Sequence, residues 1–221
     1  MTASTSSQPD TNTDIDPGRR ERKRRQTLDH LAATAFRLFE AHGYDAVTME
    51  QIAAEADVSK GTLYNHFPIK EALLAHLFHG ELARDMPRLR AAIEAEPDFA
   101  GRMRCLLHAS ADWSESHRTY LPHYLRFRLA NVDSGEADAD AKRPRSGLDQ
   151  VFEALIRAGQ AAGELRSDLP SVQLAQMFHF LYLGALMRWL AVPDSELRAE
   201  FDAVLDVFLR GLIAARAGST Q

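Results

Sequence analysis

The stretch TMEQIAAEADVSKGTLYNHF, Thr48 to Phe67, places two short helix-like runs on either side of a three-residue break, Asp57 to Ser59. Each run is too short to be stable alone, because isolated helices below about 12 residues are marginal in water. Thr48 and Ser59 are predicted N-caps, whose side-chain oxygens accept hydrogen bonds from the first helical turn. Two short helices joined by a tight corner are typical of a helix-turn-helix, whose second helix enters a groove of DNA.

The apolar residues of this stretch predict which side of each helix is buried. The predicted packing face consists of Ile52, Ala53, Ala56, Val58, Leu63 and Phe67. The opposite face of the second helix is polar and compact, and a major groove about 12 Å wide admits such a helix. The predicted DNA contacts in this segment are Ser59, Lys60, Gly61, Thr62, Tyr64, Asn65 and His66. We expect Thr62 at a base edge or a thymine methyl group, and Lys60 at a guanine edge or a phosphate.

Charge is unevenly distributed along the chain, which has a net charge of −5. Residues 19–70 carry nine basic and seven acidic side chains, and the run RRERKRR, Arg19 to Arg25, has six basic residues against one acidic. A basic segment on an otherwise acidic chain suits a protein that touches DNA with one end only. We therefore predict that Arg24 and Arg25 lie along phosphates or a minor groove, the alternative being a solvated charge run. Thr48 and Lys70 begin predicted helices, whose backbone N–H groups favour a phosphate.

The rest of the chain reads as helical, without the period-two alternation of a strand, and the predicted fold class is all-α. The predicted helices are 22–41, 49–56, 60–66, one from 70 toward Pro87, 99–116, 122–130, 146–162, 170–191 and 195–215. Residues 1–18 are expected to form a disordered tail and 131–147 a loop. The apolar run 174–192 contains Arg188, so it is predicted to be a buried helix rather than a membrane span.

The segment TMEQIAAEADVSKGTLYNHFPIKEALL resembles the DNA-binding signature of the tetracycline-repressor-like (TetR) family of bacterial transcriptional regulators. The resemblance covers about residues 25–75 and follows the family order of residues without gaps. It implies an all-helical homodimer, with a DNA-binding domain of three helices at 19–70 and an effector-binding and dimerisation domain at 71–221. One departure is Asp57, where the family often has glycine in a left-handed conformation, which Asp tolerates better than most residues.

Aromatic and polar residues of the second half are candidates for an effector pocket, since such pockets are mostly apolar with a few polar groups. They are Trp113, His117, Tyr120, Tyr124, Phe127, Phe152, His179, Phe180 and Met187. This set indicates an apolar or aromatic ligand, and plain core packing is the alternative for each residue. The last helix carries an apolar stripe from Phe201 to Ile213, which is predicted to form the dimer interface together with the helix from Leu174.

The predicted function is a transcriptional regulator, a repressor that a small ligand releases from a palindromic operator. The predicted partners are double-stranded DNA, a second copy of the chain and an unidentified effector; no membrane partner and a cytoplasmic location are expected. We predict no cofactor and no metal site, although His76 and His79 are spaced as metal ligands can be. No catalytic motif is found, so an enzyme is not expected. An architectural DNA-binding protein that works through protein partners, without a small ligand, is the alternative.

Overall fold

The computed structural model describes residues 17–130 and 148–210, and this part of the chain forms nine α-helices and no β-strand. The helices are α1 Pro17–His42, α2 Met49–Glu55, α3 Lys60–His66, α4 Lys70–Ala95, α5 Phe99–Ser116, α6 Leu121–Ala130, α7 Leu148–Ala161, α8 Ser171–Ala191 and α9 Leu197–Arg210. The all-α prediction is confirmed. Residues 1–16 of the predicted tail and the predicted loop at 131–147 lie outside the described residues, as does the end of the last predicted helix. The last two residues of the predicted 1–18 tail belong to α1 instead, so the tail prediction is wrong there.

The chain divides into two compact units, and the division falls between Leu73 and Leu74, inside α4. In the first unit α1 packs on α2 and α2 packs on α3. Its core is made of side chains that are almost completely shielded from solvent, among them Leu31, Ala35, Phe39, Ile52 and Leu63. The α1 helix ends where the sequence predicts, because Gly43 has a φ of +83°, a conformation that glycine adopts without strain.

In the second unit α5, α7, α8 and α9 pack against one another. Aromatic rings fill the space between them: Phe152 meets Phe178 edge-on at 4.9 Å between ring centroids, and Tyr182 stacks on Phe201 at 4.9 Å. Offset and edge-on arrangements of this kind stabilise a core beyond the burial of the rings alone. The second unit is therefore a helical bundle with an aromatic centre.

Two predicted helix limits are wrong. The first helix begins at Pro17 rather than 22, so the basic run is helical. The fourth helix continues through Pro87 to Ala95, although proline removes one backbone hydrogen bond and usually ends or kinks a helix. Pro87 and Ala83, whose carbonyl loses that bond, are both exposed, so water can bond to the carbonyl. Burial of Ile93 beyond the proline favours the continued helix.

The predicted dimer stripe on the last helix is also wrong in part. Phe201 and Leu205 are completely buried, against elements of their own subunit. The reason is that α9 packs on both α5 and α8, and this packing uses its apolar side. Leu212 and Ile213 lie outside the described residues. None of the helices described is both long and apolar enough to cross a membrane. The run 174–192 lies within α8 except for Val192, which is the C-cap.

Candidate DNA-binding surface and ligand cavity

The start of α2 is fixed by a reciprocal pair of hydrogen bonds. The Gln51 backbone N–H donates to Thr48 Oγ1 at 3.2 Å, and the Thr48 backbone N–H donates to Gln51 Oε1 at 2.8 Å. This capping box satisfies two backbone donors that have no partner inside the helix. Thr48 is therefore an N-cap, as predicted, and its side chain is held at the beginning of the helix-turn-helix.

The corner between α2 and α3 depends on a left-handed residue at Asp57, where φ is +53°. The backbone N–H of Asp57 donates to Ala54 O at 3.2 Å, and that of Val58 donates to Ala53 O at 3.0 Å. The expectation of a left-handed position here is confirmed. The turn lets Leu63 and Phe67 pack inward, where they are 0% and 5% exposed.

The outward face of α3 is polar and open. Ser59 caps the helix by accepting a hydrogen bond from the Thr62 backbone N–H at 3.0 Å, and the hydroxyls of these two residues lie 2.8 Å apart. Lys60, Gly61, Tyr64 and Asn65 are exposed, and Thr62 and His66 are half-buried. The structure therefore brings the seven residues that were predicted in this segment onto one accessible helix.

Lys60 lies beside an acidic neighbour on α2. Its Nζ is 3.6 Å from Glu50 Oε1, and both side chains are well exposed. An exposed pair of this kind is worth only about 0–1 kcal/mol, so a phosphate or a guanine edge can replace Glu50 at little cost. Arg24 and Arg25 are exposed on α1, where Arg24 lies 3.8 Å from Glu21.

The predicted phosphate contact at Lys70 involves its backbone N–H, and its side chain is engaged within the protein. Its ammonium group donates to Tyr44 O and Val47 O, both at 2.8 Å, and lies 4.5 Å from the centroid of the Tyr44 ring. These carbonyls belong to the connection between α1 and α2, and the ammonium group provides them with hydrogen-bond donors. Only the backbone N–H of Lys70, at the start of α4, remains a candidate for a phosphate contact.

The second unit contains an apolar cavity of about 120 Å³ between α4, α5, α6, α7 and α8. Its lining is mostly leucine and aromatic, with a few polar groups. The lining residues are Leu82, Met86, Leu89, Leu106, Ala109, Ser110, Trp113, Ser114, Leu121, Tyr124, Leu125, Arg128, Leu148, His179, Tyr182, Leu183 and Leu186. A concave, mostly apolar site with a few polar groups is the usual form of a small-molecule site.

Three of the nine predicted pocket residues, Trp113, Tyr124 and His179, line this cavity. His117, Tyr120, Phe127 and Phe152 are absent from the lining, and Phe152 is a fully buried core residue. His117 is held elsewhere: its Nε2 pairs with Glu81 Oε2 at 3.0 Å, and its Nδ1 lies 2.8 Å from Trp113 O. For Phe152 the core-packing alternative therefore describes the structure better.

Phe180 and Met187 are placed away from the cavity, on the outer side of α8. Phe180 is 70% exposed and Met187 is 46% exposed. Residues 178, 182 and 186 of the same helix point inward instead, so these two residues cannot reach the cavity. Because α8 is apolar on all sides, its sequence does not show which side is buried.

Burial shifts the pKa values of the polar groups in this region toward the neutral forms. The pKa of Tyr182 is raised to about 12, chiefly by burial, and that of Tyr124 is raised for the same reason. Burial also lowers the pKa of His179, and it lowers that of His79 to about 4. His79 lies behind the lining, with Nε2 3.0 Å from the Tyr124 hydroxyl. At neutral pH both histidines are therefore uncharged.

Several lining residues were not predicted from the sequence, among them Arg128, Ser110 and Tyr182. Arg128 follows Tyr124 by four residues, and residues four apart share one face of a helix. That spacing was a usable signal for Arg128. Among the residues described, no cluster of three or more His, Cys, Asp or Glu side chains is arranged to hold a metal ion.

Comparison with known proteins agrees with the helix-turn-helix. Residues 31–77 match the family model described as bacterial regulatory proteins, tetR family. The transcriptional repressor KstR of Rhodococcus jostii (strain RHA1) is 34% identical over 182 residues, which cover 82% of this chain and 79% of that protein. This chain belongs to the TetR family. It is accordingly a transcriptional regulator and not an enzyme, as the sequence indicates.

Other transcriptional repressors are similar over most of the chain. The transcriptional repressor Rv1474c of Mycobacterium tuberculosis is 29% identical over 187 residues, which cover 84% of this chain and 90% of that protein. Thermus thermophilus FadR, a TetR-family repressor solved in complex with lauroyl-CoA, superposes with a TM-score of 0.72 at 24% identity, over 88% of this chain and 99% of FadR. At that identity the superposition shows a shared fold.

Proposed function

We propose that this TetR-family regulator is a repressor that binds a palindromic operator as a homodimer and is released when a small, mainly apolar ligand fills the cavity. The observation that carries the DNA-binding part is the outward face of α3, which is capped by Ser59, held by a buried inner side and lined by exposed polar residues. The names of the relatives support repression, since KstR and Rv1474c are both transcriptional repressors.

The chemistry of the α3 face gives each residue a role in DNA binding. The methyl group of Thr62 suits a thymine methyl, because its hydroxyl is already paired with that of Ser59. Lys60 suits a phosphate or a guanine edge, and Tyr64, Asn65 and His66 suit phosphate oxygens. Gly61 has no side chain, so DNA can approach the α3 backbone closely at this position. The protein itself leaves this space open, because a Cβ at position 61 would meet only Ser59 Oγ, at 3.8 Å. Arg24, Arg25 and the backbone donors next to Thr48 and Lys70 add phosphate contacts.

Ligand-induced release requires that the ligand prefer one state of the protein. A ligand changes DNA affinity only by its different affinity for the DNA-binding and released states, and coupling of about 1–3 kcal/mol is typical. The cavity supports this mechanism over an architectural protein without a ligand. FadR, which has the same fold, was solved with a bound acyl-CoA and provides a precedent.

Fluorescence anisotropy with DNA from upstream of the protein's own gene tests the DNA-binding proposal, with a shuffled duplex for comparison. Thr62→Ala should reduce the preference for the operator by about 1–3 kcal/mol, since it removes a base contact. Lys60→Ala should weaken binding to both duplexes and lower the slope of log K against log salt by about one per phosphate contact. Arg157→Ala, at an exposed site on α7, is the matched control. If both α3 variants bound the two duplexes like the wild type, α3 would not be the recognition helix.

A further inference from the structure

Arg128 is the one charged side chain among the described residues that line the cavity. It comes from α6. Burial has the largest effect on the pKa of Tyr124 and of His179, and the charge of Arg128 also acts on both, lowering each pKa. An arginine remains protonated at any pH at which the protein is folded. The rest of the lining is neutral, because burial keeps His179 uncharged. The cavity therefore carries a single positive charge on a largely apolar wall.

The hydrogen-bonding capacity of the lining is also unbalanced, in favour of donors. Trp113 Nε1 and His179 Nδ1 are buried without a hydrogen-bond partner. The indole N–H is a donor only, and a neutral imidazole nitrogen donates in one of its two tautomers. The hydroxyl oxygens are already paired, Ser110 with Tyr182 at 2.7 Å and Tyr124 with His79 at 3.0 Å. Buried donors without partners are costly, so a ligand that supplies oxygen acceptors removes that cost.

Asp149 is the acidic group that acts on the same region. Burial has the largest effect on the pKa of Tyr124 and of His179. Asp149 also acts on both and raises each pKa, whereas Arg128 lowers it. Its Oδ1 is buried without a hydrogen-bond partner, and Asp149 is not part of the cavity lining. Arg128 itself forms a hydrogen bond with the Tyr124 side chain. A guanidinium group has five N–H donors, so those that remain can bind an acceptor that enters the cavity.

We propose that the cavity binds a small organic acid, with its carboxylate at Arg128, a second hydrogen bond from Trp113 or His179, and its apolar body among the leucines. An arginine fork matches the two oxygens of a carboxylate. The cavity of about 120 Å³, at roughly 10–15 Å³ of such space for each water-sized group, accommodates a ligand of about ten non-hydrogen atoms. This proposal rests on the proposed function, because it names the ligand class of the same cavity.

Isothermal titration calorimetry of the full chain, without DNA, tests this proposal with three probes of equal chain length: octanoate, 1-octanol and octyl phosphate. Octanoate should bind at least about tenfold more tightly than 1-octanol, since only the acid gains a charge-assisted hydrogen bond. Octanoate binding no tighter than 1-octanol in the wild type would overturn the proposal. Tighter binding of octyl phosphate than of octanoate would also overturn it, because the preferred anion would then be a phosphate.

Variants of α6 locate the binding group. Arg128→Gln should bring octanoate down to the affinity of 1-octanol, whereas Arg128→Lys, which keeps the charge, should retain part of the preference. Arg126→Gln is the matched control, because Arg126 is exposed on the same helix and is absent from the lining. An unchanged preference for the acid in Arg128→Gln would overturn the assignment. The comparison of probes in the wild type needs no variant, so a folding defect in one variant leaves the test intact.

The two proposals fail in different ways. Tight octanoate binding without release of the operator would count against ligand-induced release by this acid and would support the carboxylate site. Operator release by 1-octanol as readily as by octanoate would support the ligand-responsive repressor and overturn the carboxylate site. Direct binding therefore tests the carboxylate site, and DNA release tests the repressor mechanism.

Discussion

Lys70 shows how one half-buried charge can fix a connection between helices. Its ammonium group binds two carbonyls of the α1–α2 connection and the face of Tyr44. Hydrogen bonds to a charged group contribute about 1.5–3 kcal/mol each when the alternative is an unsatisfied acceptor. The Lys70 side chain therefore stabilises the α1–α2 connection of the first unit. Its position at the start of α4, next to the helix-turn-helix, suggests direct contact with DNA instead.

Replacing Lys70 with methionine keeps the length and apolar stem of the side chain and removes the donor. We expect Lys70→Met to lower the free energy of unfolding of the first unit by about 2–4 kcal/mol, since both carbonyls lose their partner. Urea unfolding followed by circular dichroism measures this loss. Lys23→Met, at an exposed site on α1, is the control and should change stability by less than about 0.5 kcal/mol. Equal stability of the two variants would show that the Lys70 hydrogen bonds contribute little.

His79 makes the stability of the second unit depend on pH. Its pKa is lowered from 6.5 to about 4, mainly by burial and further by Arg128 and His76. Between pH 6.5 and 4 the unfolded chain binds a proton that the folded chain does not, so stability falls as the pH is lowered through this range. Below about pH 4 both states are protonated and the effect of this residue levels off.

Substitution of His79 by glutamine tests that dependence. Gln can keep a hydrogen bond to the Tyr124 hydroxyl and has no proton to gain. We expect the melting temperature of His79→Gln to fall less steeply than that of the wild type between pH 6.5 and 4. The exposed His30→Gln variant keeps the buried histidine and serves as the control. Parallel curves for the wild type and His79→Gln would mean that other groups cause the acid sensitivity.

The corner between α2 and α3 is an element whose geometry depends on one residue. Asp57 has a φ of +53°, which costs roughly 1–2 kcal/mol for most L-residues and more for a β-branched side chain. Asp57→Ile should therefore lower the free energy of unfolding by about 1–3 kcal/mol, while Asp57→Gly should leave it within about 1 kcal/mol of wild type. Chemical unfolding of the two variants side by side measures the difference. Equal stability of the Ile and Gly variants would contradict a left-handed requirement at this position.

Three helix limits of the first unit were predictable because their signals are local, whereas the start of α1 was not. Thr48, Ser59 and Gly43 act within one turn of the helix that they begin or end, so the sequence alone places those limits. The course of α4 through Pro87 was not predictable in this way. Ile93, beyond the proline, is buried, and the sequence pattern around Pro87 does not indicate that burial.

The cavity was predicted only in part for a related reason. The aromatic residues of the second half correctly predicted Trp113, Tyr124 and His179 as lining residues. Residue type alone does not distinguish lining residues from core or surface residues. Apolar residues occur on all sides of α8, so the spacing of apolar residues does not show which side of the helix is buried. Arg128 was overlooked because a charged residue in a helix is usually assigned to the solvent. Its position four residues after Tyr124 was the available signal.

At the scale of the whole molecule, α8 suggests how two subunits associate. One apolar side of α8 is buried within its own subunit, and a second apolar side is exposed. Phe178, Tyr182 and Trp189 are buried within the subunit. The outer side carries a stripe of exposed residues at helical spacing, which we call the outer α8 stripe: Met177, Phe180, Leu181, Gly184 and Met187. A contiguous exposed apolar surface of this kind marks an interaction site, and a two-fold axis places the same stripe on both partners. We propose the outer α8 stripe, rather than Phe201 and Leu205 of α9, as the centre of the homodimer interface.

A charge at the centre of the stripe tests this assignment. Phe180→Glu places two carboxylates close to the two-fold axis and removes the most exposed ring of the stripe, so we expect it to yield monomers at concentrations where the wild type is a dimer. Size-exclusion chromatography with light scattering measures the mass. Operator affinity should fall with it, because two reading helices about 34 Å apart, or a multiple of that, require both subunits. Ala91→Glu adds the same charge at an exposed site on α4 and should remain dimeric. A dimeric Phe180→Glu with wild-type operator affinity would place the interface elsewhere.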